Sequence, residues 1–285
     1  MATWLWQKNV SRDQEELWQE RLGALPGLVI SEAAGRGRAA VSVYTEESSE
    51  ALVLQACYGG SVTPVNDTDW VAATAPQNQP PLLIRDQLVI TTSERPEDLA
   101  ALREKYPRRH ILCFPAEMAF GTGNHATTAS CLRMLCDFAR EHRGRAWTLT
   151  DIGCGTGVLA LAGLRLGAQS AISFDFDAQA VAIAERNIAR NGGCDHLKLF
   201  QADVFEWTPS AEDRADLVLA NLFSTVLQKA FPRIIRGMKD GGTLIISGIL
   251  NSQAEETIAA ACAAGLSLQK SVRRGKWTTA RLTLP

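Results

Sequence analysis

A chain of 285 residues has room for about two domains at roughly 150 residues each, and 46 % hydrophobic with 21 % charged residues excludes disorder and fibrous repeats. Twenty-nine Lys and Arg stand against 31 Asp and Glu, a net charge of -2 that leaves no dominant polyanion-binding surface, though it allows a local patch. The seven cysteines, at 57, 113, 131, 136, 154, 194 and 262, lack the paired spacing of a structural metal site and read as reduced thiols, with no metal expected. No apolar run approaches the roughly 18 residues of a membrane span. Arg12, Asp13, Glu15 and Glu16 stand where a secretory signal needs an apolar core, so the expected location is the cytoplasm.

In chain order, Thr3 to Val10 reads as a strand, and Arg12 to Leu22 as a helix after Ser11, with Leu17, Trp18 and Leu22 as its apolar patch. Leu28 to Ala33 and Arg38 to Tyr44 read as strands joined by a hairpin at Gly35-Arg36-Gly37. Ser48 or Ser49 is placed to cap a helix through Cys57 that Gly59 and Gly60 stop, and Ser61 to Val65 supplies a last strand. The order β-α-β-β-α-β predicts a small α+β ferredoxin-like domain over residues 1–65. It carries five basic and eight acidic side chains through residue 60, so naked nucleic acid is not the expected partner.

Residues 66–84 turn to Asn, Asp, Thr and Gln, with Pro64 just before and Pro76, Pro80 and Pro81 within. Proline removes backbone donors and restricts its predecessor, so 66–108 reads as a linker and bridging segment in which Trp70 can anchor the chain. Within it Leu82 to Ile90 predicts a short strand or hairpin, and Arg95 to Tyr106 a polar helix or turn.

Over residues 109–285 strands and helices alternate. Helices are expected at Thr128 to Arg140, Val158 to Leu166, Ala178 to Asn191, Leu222 to Gly237 and Gln253 to Ala264. Strands are expected at Trp147 to Ile152, Ala171 to Phe174, Leu197 to Gln201, Leu217 to Ala220 and Thr243 to Ser247. Several of the strands are apolar throughout, which indicates a mostly parallel sheet covered on both faces. The last 29 residues hold Lys270, Arg273, Arg274, Lys276 and Arg281 and no acid, a solvated edge in the first instance, with RNA contact the weaker reading. Trp277 reads as packing against the last strand, with Leu266, Leu268, Val272 and Leu282.

Asp151-Ile-Gly-Cys-Gly-Thr-Gly157 joins the end of an apolar strand to a helix start, where glycines permit a tight turn and close approach of a ligand. Asp175 ends the next strand 22 residues beyond Gly153, the distance at which a carboxylate accepts from ribose hydroxyls; a solvated turn acid is the alternative. Val158 and Leu159 follow Gly157 where a phosphate loop needs Lys and Ser or Thr, so an adenosyl ligand without pyrophosphate fits better.

With these residues the chain resembles the class I methyltransferases that use S-adenosylmethionine. Phe120-Gly-Thr-Gly-Asn-His-Ala-Thr-Thr128, the 151–157 loop, Asp175-Phe-Asp177 and Ala220-Asn-Leu222 resemble, more closely, the bacterial methyltransferases that modify the eleventh protein of the large ribosomal subunit. The resemblance covers nearly the whole chain. It implies a Rossmann-like class I methyltransferase domain preceded by a small domain that recognises the ribosomal protein. The implied methyl acceptors are lysine ε-amines and the N-terminal amine. By motif it places Thr128, Gly153, Asp175 and Asn221 at the cofactor, with Asp175 on the ribose and Gly153 beside the methionine part; Gly155, in the same glycine turn, is read as cofactor-binding with them.

Asn221 and His125 are the candidates for the reacting end. Asn221 offers donor and acceptor atoms near the incoming amine, or caps the helix after it. His125 reads as a helix cap or substrate-positioning group ahead of a general base. Asp203 follows the strand Leu197 to Gln201 and can accept from the adenine amino group, or cap a turn; Asp177 reads as the cap of the helix from Ala178. Ala126, Ala178 and Glu117 depart from the family, which commonly has proline at the first two positions and often glycine near the third, and they bear on the acceptor more than on the donor. The readings carried beside protein methylation are a methyltransferase for another protein or a small molecule, and a nonenzymatic adenosyl-binding, ribosome-associated protein.

Overall fold

The computed structural model of this chain describes residues 3–11, 14–22, 25, 28–32, 37–45, 47–65, 80–115 and 125–285. It divides into two compact units, Met1–Gln77 and Asn78–Pro285.

The first unit follows the expected order: β1 (Thr3–Ser11), α1 (Glu15–Leu22), β2 (Leu28–Glu32), β3 (Arg38–Thr45), α2 (Ser48–Tyr58) and β4 (Ser61–Val65). Its sheet runs β2-β3-β1-β4 with every pairing antiparallel, the ferredoxin-like arrangement. Alternation along β1 turns Trp6 inward against Trp18, Val41, Val43 and Ala51, while Gln7 points out. The Trp6 indole N–H donates to the Gly59 carbonyl at 2.7 Å, so its one polar atom is satisfied inside the core. Gly59 and Gly60 end α2 at φ 69° and 94°, as the sequence predicts. The cap differs from expectation: Glu47 holds the N-cap position without a side-chain cap bond, and the Ser49 hydroxyl donates to the Glu47 carboxylate instead. The hairpin glycine Gly35, the linker tryptophan Trp70 and Pro76 lie outside the described residues.

The second unit begins with a three-stranded sheet, β5-β6-β7. β5 (Leu82–Ile84) and β6 (Leu88–Thr91) form an antiparallel hairpin around Arg85 at φ 52°, and β7 (His110–Cys113) lies parallel to β6 across α3 (Pro96–Lys105). Pro96 starts α3 where its missing N–H costs nothing. The segment read as a bridge therefore contains regular structure from Leu82 onward.

The large sheet comprises β8 (Thr148–Ile152), β9 (Ser170–Asp175), β10 (Leu197–Gln201), β11 (Ala215–Asn221), β12 (Met238–Leu250), β13 (Ser267–Arg274) and β14 (Trp277–Thr283). Helices α4 (Ala126–Glu141), α5 (Val158–Arg165), α6 (Ala178–Arg190), α7 (Ser224–Arg236) and α8 (Ala254–Ala263) accompany it. The strand order is β10-β9-β8-β11-β12-β14-β13, parallel from β10 through β12, with β14 and β13 antiparallel at the edge. Both faces are apolar because period-2 alternation splits β11: Leu217 and Leu219 face α4 and α5, while Val218 and Ala220 face α7 and α8. Edge strand β13 exposes Lys270, Arg273 and Arg274, charges that oppose pairing with another sheet edge. The chain winds outward from β8 through β9 to β10 and returns on the other side of β8 as β11, so a topological switch point lies between β8 and β11. Ligand crevices of parallel α/β sheets open at the carboxyl ends of the strands at such a point. No described helix is long and apolar enough to cross a membrane.

Candidate active site

The turn between β8 and α5 sits at that switch point. Gly153, Gly155 and Gly157 adopt φ of 72°, 53° and 77°, a left-handed region that side chains rarely tolerate, which explains all three glycines. The N–H groups of Gly153 and Cys154 both donate to the Phe174 carbonyl, at 2.9 and 3.0 Å, tying the turn to the end of β9. One residue on, the Asp175 carboxylate accepts from Gly155 N–H at 2.9 Å through Oδ2 and from Asp177 N–H at 3.1 Å through Oδ1. Each oxygen keeps a second lone-pair direction for a ligand hydroxyl. Asp177 accepts from Gln179 N–H at 2.8 Å and caps α6, as expected of it.

On the other side of the switch point, Asn221 ends β11. Its Nδ2 donates to the Thr127 and Thr128 hydroxyls, at 3.3 and 3.4 Å, both buried in the first turn of α4. The Asn221 Oδ1 is buried with no protein partner, and α7 is capped from Phe223 without a side-chain bond, so the Asn221 amide does not cap α7. His125 caps α4: its Nδ1 accepts from Thr127 N–H at 3.4 Å and lies 2.7 Å from the Thr127 hydroxyl. The ring stands edge-on to Trp277 at 5.2 Å. Burial, with Lys276 adding repulsion, lowers the imidazole pKa and favours the neutral ring. Residues 116–124, including Glu117 and Phe120 through Asn124, lie outside the described residues.

Asp203 follows β10 and closes a turn, its Oδ1 accepting from Phe205 N–H at 2.8 Å. Thus Gly153, Gly155 and Asp175 meet in one hydrogen-bonded turn, Asn221, Thr128 and His125 meet at the start of α4, and Asp203 is engaged locally beside the β9 end.

Asp151 was not singled out by sequence. It is fully buried at the end of β8, accepts from Ala160 N–H at 3.2 Å through Oδ2, and leaves Oδ1 without a protein partner. Burial, aided by the Asp175 charge, pushes its carboxyl up to about 7 against the one Ala160 bond. The available signal was a carboxylate inside an otherwise buried strand, which must be paired or wait for a partner. Leu222 is the second missed residue: its side chain fills the space beside Gly153, and its backbone rests on Gly248. Among the described residues no group of three His, Cys, Asp or Glu could hold a metal ion.

Residues 12–284 match the family described as ribosomal protein L11 methyltransferase (PrmA). The chain belongs to this family. A relative of that name from Pelotomaculum thermopropionicum is 39 % identical over 160 residues, 56 % of this chain and 50 % of the relative. Another from Haemophilus ducreyi is 35 % identical over 227 residues, 79 % of this chain and 71 % of the relative. The chain thus spans about half the length of curated relatives such as the first. The crystal structure of a ribosomal protein L11 methylase from Lactobacillus delbrueckii subsp. bulgaricus has the same fold, with a TM-score of 0.58 at 24 % identity, covering 71 % of this chain and 97 % of that one. The matched span includes the glycine turn, Asp175 and Asn221, so the site described above lies inside the family's own region.

Proposed function

We propose that this chain transfers methyl groups from S-adenosylmethionine to amine nitrogens of a large-subunit ribosomal protein, lysine and N-terminal amines being the acceptors, in the cytoplasm. The observation that carries the reading is the Asp175 carboxylate, buried at the switch point and fixed by the glycine turn with lone pairs left for two ribose hydroxyls. Family membership and the relatives' names support the acceptor class.

The residues fit the donor. Besides Asp175, two buried oxygens wait without protein partners on either side of the crevice, Asp151 Oδ1 and Asn221 Oδ1. Buried acceptors of that kind are costly unless a donor arrives, and a methionine ammonium or an incoming amine supplies one. When bound, the donor supplies an electrophilic methyl on a sulfonium that departs as a neutral thioether. The chain's share is placement: Asp175 and Gly155 hold the nucleoside end, Gly153 borders the methionine part, Asp203 borders the adenine side, and Asn221 Oδ1 accepts a hydrogen bond that orients the amine. Thr127 and Thr128 lock the Asn221 amide by taking its N–H groups, which aims the oxygen. His125 holds the start of α4 in place as a positioning residue.

An amide takes up no proton at neutral pH, so the acceptor amine reaches Asn221 already neutral. An amine of ordinary pKa near 10.4 then makes kcat/KM climb tenfold per pH unit below that value. Incubation of the full chain with methyl-labelled donor and the ribosomal protein, followed by peptide mass mapping, tests the reading; label on lysine or the N-terminal amine is expected. Label appearing only on another protein or a small molecule would reassign the acceptor, and saturable donor binding without transfer to any acceptor would make the chain a binding protein.

A further inference from the structure

Helix α6 starts directly after Asp175, yet it carries two asparagines, Asn187 near its end and Asn191 just past it, one turn apart on one face. Asparagine is a poor helix former, and Asn187 is completely buried, so the amide must be satisfied by something worth that cost. Its Nδ2 donates to the Thr156 carbonyl at 3.2 Å, inside the glycine turn. Its Oδ1 accepts from Arg190 Nη1 at 2.5 Å, and Arg190 Nε pairs with Glu94 at 2.7 Å. Because the guanidinium only donates, it fixes which end of the amide faces Thr156. Asn191 grips β7 as a neighbouring strand would: its Oδ1 accepts from Cys113 N–H and its Nδ2 donates to the Cys113 carbonyl, both at 2.8 Å. The same Nδ2 also donates to the Asn187 carbonyl at 2.8 Å.

We infer that Asn187 is a positioning residue for the methyl-donor site, holding the Thr156–Gly157 peptide so that Gly155 N–H meets Asp175, with Arg190 setting the amide's orientation. The inference rests on the donor-site reading of the glycine turn. Thr156 directly precedes Gly157, whose N–H closes the turn onto the Cys154 carbonyl at 2.9 Å. Rotation of that peptide displaces Gly155 and, through it, the carboxylate that takes the ribose. Asn191 anchors the other end of the same strut to β7, so side-chain amides tie α6 to β7 and to the glycine turn, beside the apolar packing of Ala184 and Ile188 on Cys154. A helix packed only by its apolar face, Val181, Ala184 and Ile188, would give neither contact.

The test uses the full chain, with S-adenosylhomocysteine as calorimetric probe and methyl transfer as readout. Asn187→Asp keeps size and the Arg190 contact, and replaces the donor to Thr156 with an oxygen that faces the Thr156 carbonyl. It is expected to weaken probe binding by at least about tenfold, one buried hydrogen bond lost and two acceptors opposed, and to raise donor KM equally. Acceptor KM and kcat at saturating donor are expected to stay within twofold. Arg190→Ala, a change at a partly exposed side chain, is expected to move donor KM the same way by about threefold, and it decides the matter if Asn187→Asp does not fold. Asn187→Ser, which restores a short donor, is expected to recover part of the loss. Unchanged probe affinity in both principal variants, or a fall in kcat and melting temperature with donor KM unmoved, overturns the inference. Absence of probe binding by the wild-type chain would instead overturn the donor-site reading beneath it.

Discussion

The Asp175 carboxylate serves the fold and, in the proposed function, the ligand. In the free chain it accepts from Gly155 and Asp177 N–H groups, charged hydrogen bonds of roughly 1.5–3 kcal/mol each net of exchange with water. Asp175→Ala should therefore lower stability by roughly 2–4 kcal/mol in urea titration and reduce donor affinity by on the order of 100-fold in calorimetry. Retained donor affinity in a folded variant would refute the ribose assignment. Asp151 makes the opposite demand. Its folded-state carboxyl is raised to about 7 from an ordinary 3.8, chiefly by burial, so between those values the folded chain holds a proton that the unfolded chain has lost. Stability contributed by the neutral carboxyl is complete below about pH 4 and declines as pH rises toward 7, at a limiting slope of about 1.4 kcal/mol per pH unit. Asp151→Asn should flatten that part of the stability profile, and an unaltered slope would show that another group titrates there. Donor binding, which brings a cation toward Asp151, should release a proton near pH 6.5, readable as buffer-dependent heat.

Among elements, Gly153 and Gly248 make a matched pair of tests because both meet Leu222. A Cβ on Gly153 would fall 2.4 Å from Leu222 Cδ2, the free end of a side chain, whereas a Cβ on Gly248 would fall 2.5 Å from the Leu222 carbonyl oxygen. Both glycines sit at positive φ, 72° and 82°, so each substitution carries backbone strain. The side chain can rotate and the backbone cannot, so Gly248→Ala should cost more than about 3 kcal/mol and Gly153→Ala roughly 1–2. The reverse order in urea unfolding would mean that Leu222 is locked and the crevice wall rigid. Gly153 was readable in the sequence because it stands in a glycine-rich turn, while Gly248 was not, since its reason lies in a strand brought alongside from 26 residues away. The same distinction governs the elements. Period-2 and helical patterns gave the ferredoxin-like order and the alternation from α4 to α8, but β7 is only four residues long and is defined by its pairing with β6. The long β12 exceeds its apolar stretch, Thr243 to Ser247, because β11 and β14 continue pairing beyond it. Asn187 and Asn191 read as ordinary helix positions for the same reason, their partners being Thr156 and Cys113 in other elements.

At the scale of the whole molecule, every residue assigned to the donor, Thr128, Gly153, Gly155, Asp175, Asp203 and Asn221, belongs to the unit Asn78–Pro285. The smaller unit, Met1–Gln77, contributes a four-stranded sheet with its own tryptophan-centred core. It has an acidic balance, eight acidic against five basic side chains through residue 60. An acidic balance of that kind favours a lysine-bearing protein over a nucleic acid and acts over about a Debye length, roughly 8 Å at physiological salt. We therefore propose that the small unit recognises the acceptor and the large one binds the donor. A fragment comprising residues 78–285 should fold, because its core clusters are complete without the first unit, and should bind S-adenosylhomocysteine within about threefold of the full chain. Its kcat/KM for the ribosomal protein should fall by on the order of 100-fold, while transfer to a short lysine peptide that has no surface for the small unit should change little. In the full chain, raising salt should increase the KM for the protein acceptor and leave the KM for the donor unmoved. A fragment that methylates the intact acceptor as well as the full chain does would place recognition on the large unit, and the small unit would need a different partner.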